Sequence, residues 1–206
     1  MINDLNYPEK SGPARFSVYL LFTPALLLLL FFCSNKTSQG TDAPLRNKHK
    51  MLTISEAKKM ILQKNFFDKY WNRSGGFEND FEVKEIKNAK VIADHASGLI
   101  WHQSGSRDFK NLDEAIAWTK ELNKNQYAGY NNWRLPTLEE ALSLMENQRL
   151  NGSLFIDEAF SSRQWCIITG DSLDSGRSWL TAFSGRVDWF DSEAGINYVR
   201  PVCSIN

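Results

Sequence analysis

Residues 127–140 decide how this chain folds: YAGYNNWRLPT over Tyr127–Thr137, followed by Leu138-Glu139-Glu140. Pro136 disfavours helical geometry at Leu135. Thr137 is a good N-cap, and Glu140 stands three residues on, the T-x-x-E form of a capping box. Leu138, Ala141, Leu142 and Met145 then hold helical spacing. The stretch predicts a structural corner that launches a helix. Trp133 is expected to pack beneath the helices, and Arg134 to hydrogen-bond nearby carbonyls or an acid, because a buried guanidinium needs partners.

On the N-terminal side, Asn111 caps a second helix with Glu114 three residues on, and Ala115, Trp118, Thr119 and Leu122 line one side of it. Residues 81–101 read as extended. Val91-Ile92-Ala93 and Gly98-Leu99-Ile100-Trp101 flank Asp94-His95-Ala96-Ser97, a turn-rich junction suited to a hairpin. Thr53-Ile54-Ser55-Glu56 is another capping box, and Ala57, Met60, Ile61 and Phe67 predict a helix over residues 54–70. On the C-terminal side Gln164–Thr169, Ser178–Phe183, Arg186–Phe190 and Asn197–Val202 read as short strands, with Ser184-Gly185 as a hairpin turn. Helices first and strands last predict an α+β fold, with helices packed on one side of an antiparallel sheet. Residues 51–206 read as one domain and residues 34–50 as a polar linker without apolar period.

The chain has 206 residues, with 24 Lys plus Arg against 24 Asp plus Glu. A balanced chain lacks the basic excess that counterion release needs, so nucleic acid is not expected as a partner. Residues 16–32, FSVYLLFTPALLLLLFF, form an apolar run between the length of a signal-peptide core and that of a membrane span. Arg15 precedes it, and Cys33 followed by a polar tether resembles a bacterial lipoprotein signal. Residues 1–33 are therefore expected to be a lipoprotein-type signal lipidated at Cys33, or an uncleaved transmembrane anchor. Lys36, Arg46, Lys48 and Lys50 after the run outnumber Lys10 and Arg15 before it. Large domains translocate largely regardless of that bias. The body is expected outside the cytoplasm, membrane-anchored, in the periplasm or at the cell surface.

Four elements, in order, resemble the Lcl C-terminal domain family. That family occurs in bacterial surface proteins, among them a collagen-like adhesin, and was formerly a domain of unknown function. Asp94-x-x-Ser97-Gly98-Leu99-Ile100-Trp101 is similar to its opening, and Asp113-Glu114-Ala115 with Trp118 to its first helix. Gly129-Tyr130-x-x-Trp133-Arg134-Leu135-Pro136-Thr137-x-x-Glu140 is similar to its central motif, with Asn132 where Asp is usual. Trp179, Phe183-Ser184-Gly185 and Tyr198-Val199-Arg200 are similar to its closing strands. The resemblance covers about residues 90–203 and implies a broadly C-type-lectin-like fold used mainly for binding, here of a glycan or surface polymer. It also assigns a structural role to Trp101, Trp133, Arg134, Leu135, Pro136 and Thr137. The rival readings are a structural subunit of a cell-envelope assembly and an oxidase-like enzyme built on Cys166 and Cys203.

Candidate ligand-binding residues are Arg177, Arg186, Trp189 and Tyr198. Two aromatics offer stacking surfaces on the closing strands, and two guanidiniums flank them to hold an acidic group. Cys166 and Cys203 either pair, closing a loop of 37 residues worth about 3.8 kcal/mol, or remain buried thiols acting as small hydrophobes. Asp171, Asp174, Asp188, Asp191 and Glu193 cluster around two turns, where solvated turn chemistry competes with calcium ligation. No nucleophile-elbow, P-loop, dinucleotide or zinc-hydrolase string occurs, so neither an enzyme nor a cofactor is expected.

Overall fold

The computed structural model describes residues 44–204. The apolar run 16–32 and Cys33, with the anchor and lipidation expected of them, lie outside the described residues. In chain order the elements are α1 (Ile54–Gln63), β1 (Phe81–Ile86), β2 (Ala89–Asp94), β3 (Leu99–His102), α2 (Leu112–Lys124), α3 (Leu138–Ser143), β4 (Cys166–Ser172), β5 (Arg177–Ala182), β6 (Arg186–Asp191) and β7 (Val202–Ser204). They form two antiparallel sheets, one ordered β1-β2-β3-β7 and one ordered β4-β5-β6. The fold is α+β, with a second sheet beyond the one expected.

Each helix starts where a side chain satisfies its free amides. Thr53, Asn111 and Thr137 accept from the backbone N–H three residues on, and Glu56, Glu114 and Glu140 return the bond to the cap's own amide. α1 is shorter than its apolar spacing predicts. Asn65 takes a left-handed conformation just past its end, and Asp68 Oδ1 accepts from the amides of Tyr70 and Trp71, tying the next residues into a turn instead of a helix. Lys87 and Asn88, both at positive φ, make the two-residue link between β1 and β2.

Side-chain alternation gives both sheets two buried faces. Ile92, Leu99, Trp101 and Val202 point to one side of the first sheet, packing with Ala141 and Leu144 of α3. Val91, Ala93, Ile100 and Cys203 point to the other, beneath Leu122 of α2 and Trp133. In the second sheet Trp179 packs with Ala57 and Ile61 of α1 and with Leu138 and Leu142 of α3. Cys166, Ile168, Leu180, Ala182 and Phe190 pack with Ala115, Leu135 and Val199 on the opposite side. α3 is buried around its whole circumference because both sheets use it. This corrects the expectation of helices on one side of a single sheet.

The closing strand also differs from expectation. Only Val202–Ser204 forms a ladder, and it joins β3 rather than β4 to β6. Upstream, Asn197 bridges Lys110, the Val199 amide donates to Ser106 Oγ, and Pro201 has no amide to donate.

Candidate functional site

The WRLPT corner accounts for its backbone group by group. Asn123 accepts from the Trp133 amide at 2.6 Å and donates to its carbonyl at 2.8 Å. Arg134 exchanges both backbone bonds with Val202. The Leu135 carbonyl accepts from His49 Nε2 at 2.9 Å, and the Pro136 carbonyl accepts from the Gly170 amide. The Thr137 amide donates to Glu140 and the Leu138 amide to Asp171. Trp133 is buried with its indole N–H on the Tyr127 carbonyl. Arg134 forms a bidentate pair with the fully buried Glu140, at 2.7 and 2.6 Å. Trp101 is wholly buried on β3, and Leu135, Pro136 and Thr137 are buried as well. The motif is therefore a joint whose groups are turned inward.

From Pro44 onward the segment read as a linker is part of the body. Arg46 donates to both carboxylate oxygens of the buried Asp171, at 2.9 and 2.5 Å, and its amide donates to Glu139. Asp171 also accepts from the Lys50 and Leu138 amides. Lys50 and Leu52 exchange backbone bonds with Ser172. Residues 44–52 thus form a strap that crosses the start of α3 and lies along the end of β4. Between strap and α1 opens a cleft of about 410 Å³, lined by Arg46, Lys50, Leu52, Lys59, Met60 and Glu139 among others.

The expected ligand residues divide between two faces. In the β5–β6 register Trp189 stands opposite Trp179 and Arg177 opposite Asp191, so Arg177 and Trp189 share a face. Arg177 lies over the Trp189 ring with its guanidinium carbon 4.7 Å from the centroid. Asp174 grips Arg177 from below through two bonds to one carboxylate oxygen, which holds the Asp174 carboxyl below its usual range. Trp189 is 44% exposed. Arg186, three residues before Trp189, points to the opposite face and pairs with Asp188 at 2.7 Å. Tyr198 is on that opposite side too, in a tilted ring contact with Phe109 at 4.4 Å between centroids and packed against the cluster of Leu180 and Phe190. Of the four candidate residues, Arg177 and Trp189 form a platform on one face, and Arg186 and Tyr198 lie on the other side.

Cys166 and Cys203 are both free and buried, which corrects the expected disulfide. Cys166 is on β4 in the cluster with Leu180, and Cys203 is on β7 of the other sheet in the cluster with Trp133. Burial pushes the Cys166 thiol up to about 11 and the Cys203 thiol up to about 12. Both thiols are therefore protonated at neutral pH. Cys166 donates to Asn197 Oδ1 at 3.3 Å.

The acids near the closing turns have separate partners. Asp171 holds the strap, Asp174 holds Arg177, Asp188 holds Arg186, and Asp191 accepts from the Glu193 and Ala194 amides. Among the described residues no three His, Cys, Asp or Glu side chains gather as a metal site would require.

Two further buried groups, His102 and Arg200, have no site role in the sequence reading, although Arg200 falls in the closing family motif. His102 lies parallel to Tyr127 at 4.6 Å, beside Trp118 and Trp133, with Nδ1 accepting from the Gly105 amide. Burial, with the Arg200 charge as a lesser cause, pushes His102 down to about 4. Arg200 is fully buried and donates to the carbonyls of His102, Gln103 and Ser161 and to Gln164 Oε1, over the Phe160 ring. Neither group faces the platform or the cleft through any of these bonds. Sequence reasoning also missed Asn123, which holds Trp133 ten residues on, and the strap, whose distant partner Asp171 reads in the sequence only as one of the turn acids.

A family model described as the Lcl C-terminal domain matches residues 90–203, more than half of the chain. No curated protein and no solved structure matches.

Proposed function

The chain belongs to the Lcl C-terminal domain family, and from that premise we propose that it is an extracytoplasmic binding module that recognises a glycan or surface polymer. In this reading residues 1–33 tether the body to a membrane, either as an uncleaved anchor or through lipid on Cys33, and place it in the periplasm or at the cell surface. The broadly C-type-lectin-like architecture implied by the resemblance belongs to the same proposal.

The observation that carries the reading is the platform of Trp189 and Arg177. A sugar ring stacks on an exposed indole, and an adjacent guanidinium orients a hydroxyl or carboxylate. Asp174 holds that guanidinium in place, so little side-chain freedom is lost on binding. The inward-turned polar groups elsewhere favour binding over catalysis: the thiols are protonated, and His102 is enclosed by aromatic rings. A glycan array probed with the full chain in mild detergent tests the reading. Capture by a defined subset of saccharides is expected. A blank array across neutral and acidic saccharides overturns it in favour of a structural role in an envelope assembly.

A further inference from the structure

The balanced charge of the chain conceals a separation. Residues 44–64 carry six cations (Arg46, Lys48, Lys50, Lys58, Lys59 and Lys64) against one acid, Glu56. Residues 65–204 carry 15 cations against 20 acids. The strap and α1 thus form a segment of net charge +5 on a body of net charge −5.

Geometry puts much of this charge on one surface. Lys48, Lys50, Lys58 and Lys59 are exposed, and Lys50 and Lys59 line the cleft beside α1. The acids within reach are engaged. Glu56 caps α1 through Thr53, and Glu139 holds Arg46 and Lys64. Apolar side chains stand among the lysines: Met51 is 59% exposed, Ile54 52% and Leu62 51%. Ile54, Lys58 and Leu62 are four apart and form one row along the outer face of α1.

We propose that this face docks on the surface of an anionic phospholipid membrane, with the lysines on headgroup phosphates and Met51, Ile54 and Leu62 in the interfacial layer. Alternation of cations with exposed apolar side chains is the chemistry of an interfacial helix. An acidic polysaccharide would use the cations and leave the apolar row in water. Chain length agrees: the span from Cys33 to Arg46 is at most about 45 Å, so a body tethered through residues 1–33 stays near the bilayer. The proposal rests on the tethered reading given above and deepens it, because it orients the body: α1 faces the lipid.

Hydroxyl-radical footprinting of the full chain, reconstituted in vesicles of phosphatidylcholine with or without phosphatidylglycerol, tests this. Labelling of Met51 and Leu62 is expected to fall at least about fivefold in the anionic vesicles, about the effect of one surface cation. Trp165 on the body serves as reference and keeps its labelling. High salt, and the triple variant Lys50→Gln, Lys58→Gln, Lys59→Gln, both restore the signal. Equal labelling in the two vesicle types overturns the proposal. So does protection by alginate in detergent without protection by anionic vesicles, which assigns the face to a polysaccharide. Alkaline carbonate extraction of the neutral vesicles reads the tether separately: release there overturns the tethered reading, while lipid-dependent protection on added anionic vesicles still supports the docking face.

Discussion

At the scale of single residues, the buried polar groups set the most sensitive positions. Glu140 is fully buried and divides its oxygens between Arg134 and the Thr137 amide. Arg134→Met leaves that carboxylate with the amide alone and is expected to cost about 3 kcal/mol in urea unfolding. The double variant Arg134→Met, Glu140→Leu is expected to recover part of the loss, because the uncompensated charge is gone. An additive double variant would contradict this reading of the pair. His102 gives a pH dependence. Its folded value of about 4 lies below the ordinary 6.5, so the unfolded chain takes up the proton first. Its contribution is fully present above pH 6.5 and is lost as pH falls toward 4, by up to about 3 kcal/mol. The melting temperature should drop across that window, and His102→Gln should flatten the slope. The sequence shows His102 only as a residue beside an apolar run. Its enclosure needs Tyr127 from a separate turn and Trp118 from α2, which no local pattern announces.

At the scale of elements, what was legible is what depends on neighbours along the chain. The capping boxes at Thr53, Asn111 and Thr137 mark the three α-helices of the described residues, since the bonds involved span three residues. The Asp94–Ser97 junction joins β2 to β3 as its turn residues predict. The Asn197–Val202 run has a strand's composition, but its pairing is set by distant partners and by Pro201. The strap was illegible for the same reason. Its polar composition reads as a linker, and its partner Asp171 lies 125 residues from Arg46. Asp171→Ala leaves a half-buried guanidinium and the Lys50 and Leu138 amides without their acceptor. That variant is expected to lose about 3 kcal/mol, or about 6–12 °C in melting temperature. It should also raise amide exchange through residues 44–52. Unchanged exchange there would contradict a strap held by Asp171.

At the scale of the whole molecule, the family match begins at residue 90, whereas the strap and α1 lie before it. Packing nevertheless makes them one body, since Leu52, Ala57 and Ile61 share a cluster with Leu138 and Trp179. Both body thiols are buried in separate clusters of that body. Native protein should resist alkylation at Cys166 and Cys203, and unfolding without reductant should expose both; a mass showing them joined would contradict the separate clusters. The family was legible through the order of its motifs. Arg177, Arg186, Trp189 and Tyr198 are alike in type and near one another along the chain, but strand alternation turns Arg186 away from Arg177 and Trp189, and Tyr198 packs outside the strands against Phe109. That separation makes it possible to test whether binding uses the face bearing Arg177 and Trp189. Wild-type chain, Trp189→Ala and Arg186→Ala are probed side by side on one glycan array. Trp189→Ala is expected to lose the wild-type signals by about five- to tenfold, consistent with a stacking contact worth about 1–1.5 kcal/mol, while Arg186→Ala keeps them. Signals retained by Trp189→Ala and lost by Arg186→Ala would contradict it.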